Sequence, residues 1–390
     1  MLSRSSDGIM FDLIQQSSHS TSAPDLEEGL GLRLFLARQR IPLEALQIKE
    51  FRQSCFTGSK TLYICDDRLG RPPSPEEHSA EAVEHCQSCH FCGPESHLLY
   101  LDDSTRQGWR AWRLGPLGPL GPLGEPFASH DARVADVSHI TPIENMEPER
   151  LAQGLEMAQE LGRAFFAARG PGSPGVQTDQ TVQTYLSYMI KHGSLAGALC
   201  PRVHIALAKR RCPQFERRLS LARQFHQKYR RCSVCHCHVV APLRDGQSAD
   251  RLLHQTGDFV AIIPYASTPY RVSIIPKQHS ACWLQLGAAI QQLAFLLQLV
   301  VEAMHYVLAN PSYTVYILSV DGQSELEKEN TFEAFHWSME VQARLPVDFG
   351  LQLSSGLRVA SRLPEDCAQD LRAAMRACLS RRAQLVVDDL

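Results

Sequence analysis

The feature that most limits what this chain can fold into is a pattern that occurs twice. Cys89-His-Phe-Cys92 leads to His139, then to a helix-forming stretch, then to a strand through Arg202-Val-His204. Cys232-Ser-Val-Cys235 leads to His279, to a second helical stretch, and to a strand through His336-Trp-Ser338. From the second cysteine to the lone histidine the offsets are 47 and 44 residues, and from there to the strand motif 63 and 57. One CxxC is a modest signal. Two at parallel offsets, each followed by histidine, helix and strand, imply a duplicated unit. The chain then divides into an N-terminal extension (1–47), a first unit (48–215) and a second unit (216–390).

The local patterns agree with this division. A helix is expected from Asp25 to Arg40, and short strands between Phe51 and Arg71 with a turn at Thr57-Gly58. The Gly-Pro-Leu repeat over 114–124 removes strand donors and reads as an exposed loop. A long helix is expected over 147–168, opened by Met-Glu-Pro-Glu and closed by Gly170-Pro171-Gly172. Strands are expected at 185–190, 203–208, 259–263, 270–275, 313–320 and 336–341. An apolar helix over 286–309 and a C-terminal helix from Pro364 to about Arg382 complete the reading. Residues 202–231 carry ten Lys/Arg against one acid, Glu216, and read as a solvated basic helix, with a phosphate-facing segment as the alternative.

Composition narrows the chemistry. A formal charge of -3 excludes bulk attraction to nucleic acid or anionic membrane. No uninterrupted apolar run approaches the roughly 18 residues of a membrane span, so no membrane partner is expected. The 13 cysteines are odd in number and follow no apolar leader, which points to reduced thiols and a cytoplasmic setting. In that setting Cys232, Cys235, His279 and His336 have the sulfur and nitrogen donors that tetrahedral zinc takes, and four protein ligands make a closed, structural site. His236, Cys237 and His238 are alternate donors, and free core thiols are the bland alternative. In the first unit Cys89, Cys92 and His139 have the same spacing, but the fourth position is Arg202. Cys86, Cys200 or water would have to complete that site, or the metal is absent.

Several motifs resemble those of the galactose-1-phosphate uridylyltransferase family, in the histidine-triad superfamily. They are Phe51-Arg-Gln-Ser-Cys-Phe-Thr-Gly58 (the family's F-R-x-D-P-x-T-G), Arg68-Leu-Gly-Arg-Pro72, Cys89-His-Phe-Cys92-Gly-Pro-Glu95 and Gly193-Ser-Leu-Ala-Gly197. Phe259-Val-Ala-Ile-Ile-Pro-Tyr-Ala-Ser267 with Ile275-Pro-Lys-Gln-His279, then His336-Trp337, Gly350-Leu-Gln-Leu-Ser-Ser-Gly356 and Pro364-Glu365, continue the resemblance. It runs from about Ile48 to Arg372.

What the resemblance implies is an α+β fold of tandem histidine-triad-like repeats, each an antiparallel sheet with a crossing helix. It implies a zinc-containing nucleotidyltransferase that moves a nucleotidyl group between a nucleotide-sugar and a sugar-1-phosphate through a nucleotidyl-histidine. The family's H-P-H falls on Arg202-Val203-His204, which sets His204 at the nucleophile position; the second unit has Ser338 there. Phosphate contacts are expected from Arg68, Arg71, Lys191 and Arg202, and from Gln352 near an interface that a homodimer would share. The departures are specific: Arg202 replaces a zinc ligand, Ala206 the glutamine that bonds phosphoryl oxygens, Lys191 an asparagine, and Asp321 a second-unit histidine. Two further classes stay open, a nucleotide-binding or structural descendant without catalysis, and a nucleic-acid module on the basic segment. The latter is the least expected, because few aromatic residues interleave with the cations.

Overall fold

The computed structural model describes residues 47–54, 60–65, 100–106, 109–114, 132–136, 142–167, 185–196, 198, 203–210, 213–236, 250–320, 331–345 and 358–388. The expected N-terminal helix, the Thr57-Gly58 turn and the Gly-Pro-Leu loop lie outside them.

The first unit contributes strands β3 (Tyr100–Arg106), β4 (Trp109–Leu114) and β5 (Ala132–Asp136), helix α1 (Pro148–Ala167), and strands β6 (Tyr185–His192) and β7 (His204–Arg210). Helix α2 (Pro213–Tyr229) follows. The second unit repeats the series with β8 (Leu252–Gln255), β9 (Phe259–Ile262), β10 (Arg271–Pro276), α3 (Ala289–Leu308), β11 (Tyr313–Leu318) and β12 (Ser338–Ala343). A short α4 (Thr331–Ala334) precedes β12. A three-stranded sheet joins β1 (Gln47–Gln53) and β2 (Lys60–Cys65), antiparallel, to β13 (Arg358–Ala360), parallel to β2; α5 (Pro364–Asp388) ends the described chain.

The large sheet has ten antiparallel strands in the order β3-β4-β5-β7-β6-β11-β12-β10-β9-β8. The order is a palindrome. Each unit builds five strands with its helix between the third and fourth, and the units meet where β6 pairs with β11 through Met189 and Tyr316. The duplication in the sequence is thus a pseudo-twofold in one continuous sheet. Sequence patterning places the long helices well, but β3, β4, β5, β8 and β13 were not legible: Tyr100–Arg106 and Leu252–Gln255, for example, mix charged and apolar residues without clean alternation.

The core lies on one face. Val134, Tyr188, Ile190, Val203, Ile205, Val272, Ile274, Val315, Ile317, Met339 and Val341 point there, against α1 and α3, with α5 packed on α3. Helix α3 buries twelve residues, mostly Leu, Val and Ile, each contributing about 2 kcal/mol of transfer free energy. Among the described helices it is the one long and apolar enough to cross a membrane, and it is spent as a core helix. Gly154 of α1 lets the helix lie on the buried Trp109 ring, where a Cβ would come within 2.5 Å of it. The other face carries residues of opposite parity: Lys191 on β6, Thr314 and Tyr316 on β11, Ser338 and Glu340 on β12, Arg271 and Ser273 on β10.

Candidate functional site

Cys232 to His236 form a helical turn just past α2, closed by the His236 amide donating to the Cys232 carbonyl at 3.1 Å. That turn packs Cys232 and Val234 on Val260, Ile262 and Ile275 of β9 and β10. His279 lies just after β10 and His336 just before β12, so adjacent strand ends bring both imidazoles under the turn. The four donor atoms lie within 4.8 Å of one another. Cys235 Sγ is 3.2 Å from Nδ1 of both His279 and His336, and Cys232 Sγ is 4.0 Å from His336 Nδ1. Sulfur–nitrogen edges of a zinc tetrahedron measure about 3.5 Å from its bond lengths, so the cluster brackets the required size.

The imidazoles are also held in the right tautomer. His279 Nε2 lies 2.7 Å from the Phe332 carbonyl and His336 Nε2 3.0 Å from the Pro276 carbonyl. Each ring donates its Nε2–H outward and leaves the Nδ1 lone pair facing the thiols, the second layer that metal-bound histidines need. The Cys232 thiol is held well below its ordinary range, first by its hydrogen bond with Cys235 and then by the two imidazoles against a contrary burial effect. A thiolate ready to ligate is the result. Cys232 and His336 are buried, Cys235 is half-buried and His279 is exposed. These residues fit zinc. The alternates Cys237 and His238 lie outside the described residues, as do Cys89, Cys92, His139 and Arg202 of the first-unit set.

The strand that carries His204 is β7. Its backbone pairs Ala135 with His204 and Arg133 with Ala206 on the β5 side, and Ala206 with Met189 on the β6 side. Val203 and Ile205 are buried in the core, so positions 204 and 206 have the opposite parity. Continuing the β6–β7 register by two residues sets Lys191 opposite His204; Lys191 is half-buried. After β6, Gly193 takes φ +77° where a Cβ would run into Ser312, and the Leu195 amide takes the Ser312 hydroxyl as acceptor at 3.3 Å. Gly193 therefore shapes the turn next to Lys191. Arg68, Arg71 and Gln352 lie outside the described residues.

Ten strands in this palindromic order, with matched helices, decide the architecture. It is the fold of uridylyltransferase and of ADP-glucose phosphorylase. ADP-glucose phosphorylase from Arabidopsis thaliana, solved with bound ADP-glucose, superposes with a TM-score of 0.62 at 19% identity over 83% of this chain and 98% of that one. A uridylyltransferase superposes at 0.59 and 18% identity over 85% of this chain and 99% of the other. In sequence, the curated Arabidopsis ADP-glucose phosphorylase is 23% identical over 192 residues, 48% of this chain and 51% of that protein. That sequence match spans about half the length of the curated relative. No family model matches the chain.

One expectation needs correcting. The basic segment is not a uniformly solvated helix. In α2, Phe215, Leu219 and Ala222 pack on Val320 and Phe335, and Arg223 donates to the Thr331 hydroxyl at 2.8 Å. Arg218 reaches Glu340 and Ser338 on β12. Among the described residues of the segment, Arg217, Lys228, Arg230 and Arg231 are exposed. The sequence reading missed the pairing of Arg218 and Arg271 with Glu340. The available signal was the parity of Glu340 with Ser338 in a strand whose other positions, Trp337, Met339 and Val341, are apolar.

Proposed function

We propose that the chain is a nucleotidyltransferase of the galactose-1-phosphate uridylyltransferase type, acting on a nucleotide-sugar with His204 as nucleophile. The observation that carries this reading is the place of His204. It lies on β7, inside a fold shared with a uridylyltransferase and with an ADP-glucose-bound phosphorylase, at a parity opposite to the core and in register with Lys191.

A neutral imidazole nitrogen of His204 attacks the α-phosphorus of the nucleotide-sugar. The bond from phosphorus to the bridging oxygen breaks, sugar-1-phosphate leaves with that electron pair, and the nucleotidyl group stays on His204 as a phosphoramidate. A phosphate oxygen of a second acceptor, a sugar-1-phosphate or inorganic phosphate, then attacks the same phosphorus and restores the imidazole. Lys191 offsets the charge that gathers on the phosphoryl oxygens, with Arg68, Arg71 and Arg202 as further cations and Gln352 as a polar contact from a homodimer interface. Cys232, Cys235, His279 and His336 would hold zinc, which supplies a closed crosslink between the α2 turn and the ends of β10 and β12. Its thiolates suit a reducing compartment such as the cytoplasm.

Ala206, in place of a phosphoryl-bonding glutamine, favours a second reading, a nucleotide-binding protein without turnover. Intact-mass measurement after mixing with ADP-glucose or UDP-glucose separates the two. The enzyme reading expects a nucleotidyl adduct on the wild type and none on His204→Ala. Calorimetric binding with no adduct on the wild type supports the second reading.

A further inference from the structure

The pseudo-twofold relates position 204 to 338 and position 206 to 340. In the first unit Ala206 stands between Arg133 and Met189 on the neighbouring strands; in the second, Glu340 stands between Ser273 and Tyr316. Glu340 is therefore the second-unit counterpart of the place beside the nucleophile where, in the proposed reaction, a phosphoryl group would lie.

Four donors close on that carboxylate. Ser338 Oγ donates to Glu340 Oε1 at 2.9 Å and Arg218 Nη1 donates to the same oxygen at 3.3 Å. Ser273 Oγ donates to Oε2 at 2.6 Å and Arg271 Nε donates to it at 3.1 Å. Arg218 Nη2 also donates to Ser338 Oγ at 3.5 Å. Glu340 is 1% exposed and Arg271 is buried. Two guanidiniums and two hydroxyls around two oxygens are the donor set that binds phosphate in proteins. The charge does not cancel either. Two cations face one carboxylate, and Arg358 on β13 adds a third near Arg271. Burial, and then repulsion from Arg271, pull the Arg358 guanidinium below its ordinary basicity. Excess positive charge in a dry pocket suits a phosphate dianion better than a carboxylate monoanion.

We propose that the second unit keeps a phosphate-type oxyanion cradle, formed by Arg218, Arg271, Ser273 and Ser338, which the chain fills with its own Glu340 carboxylate. The internal carboxylate closes this half to substrate, so nucleotide handling, in the reading given above, is confined to the first unit. Arg218 reaches the cradle from α2, the helix directly after the β7 strand, so the filled cradle also fastens that strand's continuation to the second unit.

The test uses the full chain and inorganic phosphate as probe, with chloride at matched ionic strength as reference and wild type as control for phosphate's general stabilising effect. Glu340→Ala is expected to melt lower in chloride. Phosphate should raise its melting temperature saturably, by about 5 °C or more beyond the wild-type rise. Glu340→Gln, whose amide still fills the cradle, should show no such gain. An Ala variant that responds no more than wild type, or a Gln variant that gains as much as Ala, overturns the proposal. If Glu340→Ala is insoluble when expressed, refolding from urea gives the same readout: higher recovery in phosphate supports the cradle, and equal recovery in phosphate and chloride contradicts it. None of these outcomes depends on whether the wild type forms a nucleotidyl adduct.

Discussion

Val203-His204-Ile-Ala206 and Trp337-Ser338-Met-Glu340 occupy equivalent places in the two units, with different residues at the polar positions. In the second unit the strand motif supplies a candidate metal donor, a buried tryptophan and a carboxylate held by two arginines. Ser338 and Glu340 are hydrogen-bonded there, and Trp337, Met339 and Val341 are 0% exposed. In the first unit the same positions hold a cation, a histidine and an alanine, and Lys191 lies alongside. The difference teaches how a duplicated fold divides labour. One copy turns its polar residues on each other; in the proposed function the other keeps them for a ligand.

The comparison predicts that changes in the second unit act on stability and changes in the first act on chemistry. The largest effect should come from the metal ligands. Cys232→Ser or His336→Ala should remove at least one zinc per chain, measured by elemental analysis, and lower the melting temperature by ten degrees or more, since structural zinc sites contribute on the order of 10 kcal/mol in peptides. A metal-free wild type of full stability would break the comparison at its strongest point.

Next comes Glu340. Burial alone would raise its pKa, but Arg271 and Arg218, with Ser273 and Ser338, hold it at about 2 against an ordinary 4.5. A depressed carboxylate contributes stability that is complete above pH 4.5 and is lost as pH falls from there through about 2. The stake is about 3 kcal/mol at neutral pH. Urea denaturation across pH 2 to 6 should show this acid loss in the wild type and a flatter profile in Glu340→Gln, whose neutral side chain also leaves two arginines uncompensated and lowers stability throughout. Parallel profiles for the two proteins would remove Glu340 from the account.

In the first unit, Ala206→Glu transplants the internal carboxylate of the second. It should weaken ADP-glucose binding at least tenfold by calorimetry and shift the melting temperature little; unchanged affinity would mean that position 206 does not border the phosphate. Lys191→Met is expected to have the smallest effect on stability, within about 0.5 kcal/mol for a half-buried side chain outside the core. It should slow adduct formation about tenfold in a mass-spectrometric time course. A large stability loss with unchanged adduct kinetics would assign Lys191 to the fold instead.

The duplication was legible because cysteine and histidine sets of metal-ligand type fix residue types as well as spacing. Two CxxC pairs, two lone histidines and two helices at parallel offsets survive where other similarity has faded, and Cys232, Cys235, His279 and His336 do converge. The helices were legible for a different reason: α1 has its acidic start and glycine stop, and α3 its long apolar run, although α5 extends to Asp388, past the expected Arg382. The continuous sheet was not legible, since nothing in β6 or β11 marks that Met189 will pair with Tyr316. The Glu340 network was missed because Arg218 lies in a run of cations whose solvation is the ordinary expectation. Only packing of Phe215 and Leu219 against Phe335 turns that side of α2 inward.

The division of labour between the two units is tested most directly by native mass spectrometry of wild type, His204→Ala and Cys232→Ser after exposure to ADP-glucose. The account predicts zinc and one nucleotidyl group on the wild type, zinc without the nucleotidyl group on His204→Ala, and less zinc on Cys232→Ser. A nucleotidyl group that persists on His204→Ala, or a wild type that carries no zinc, would contradict it.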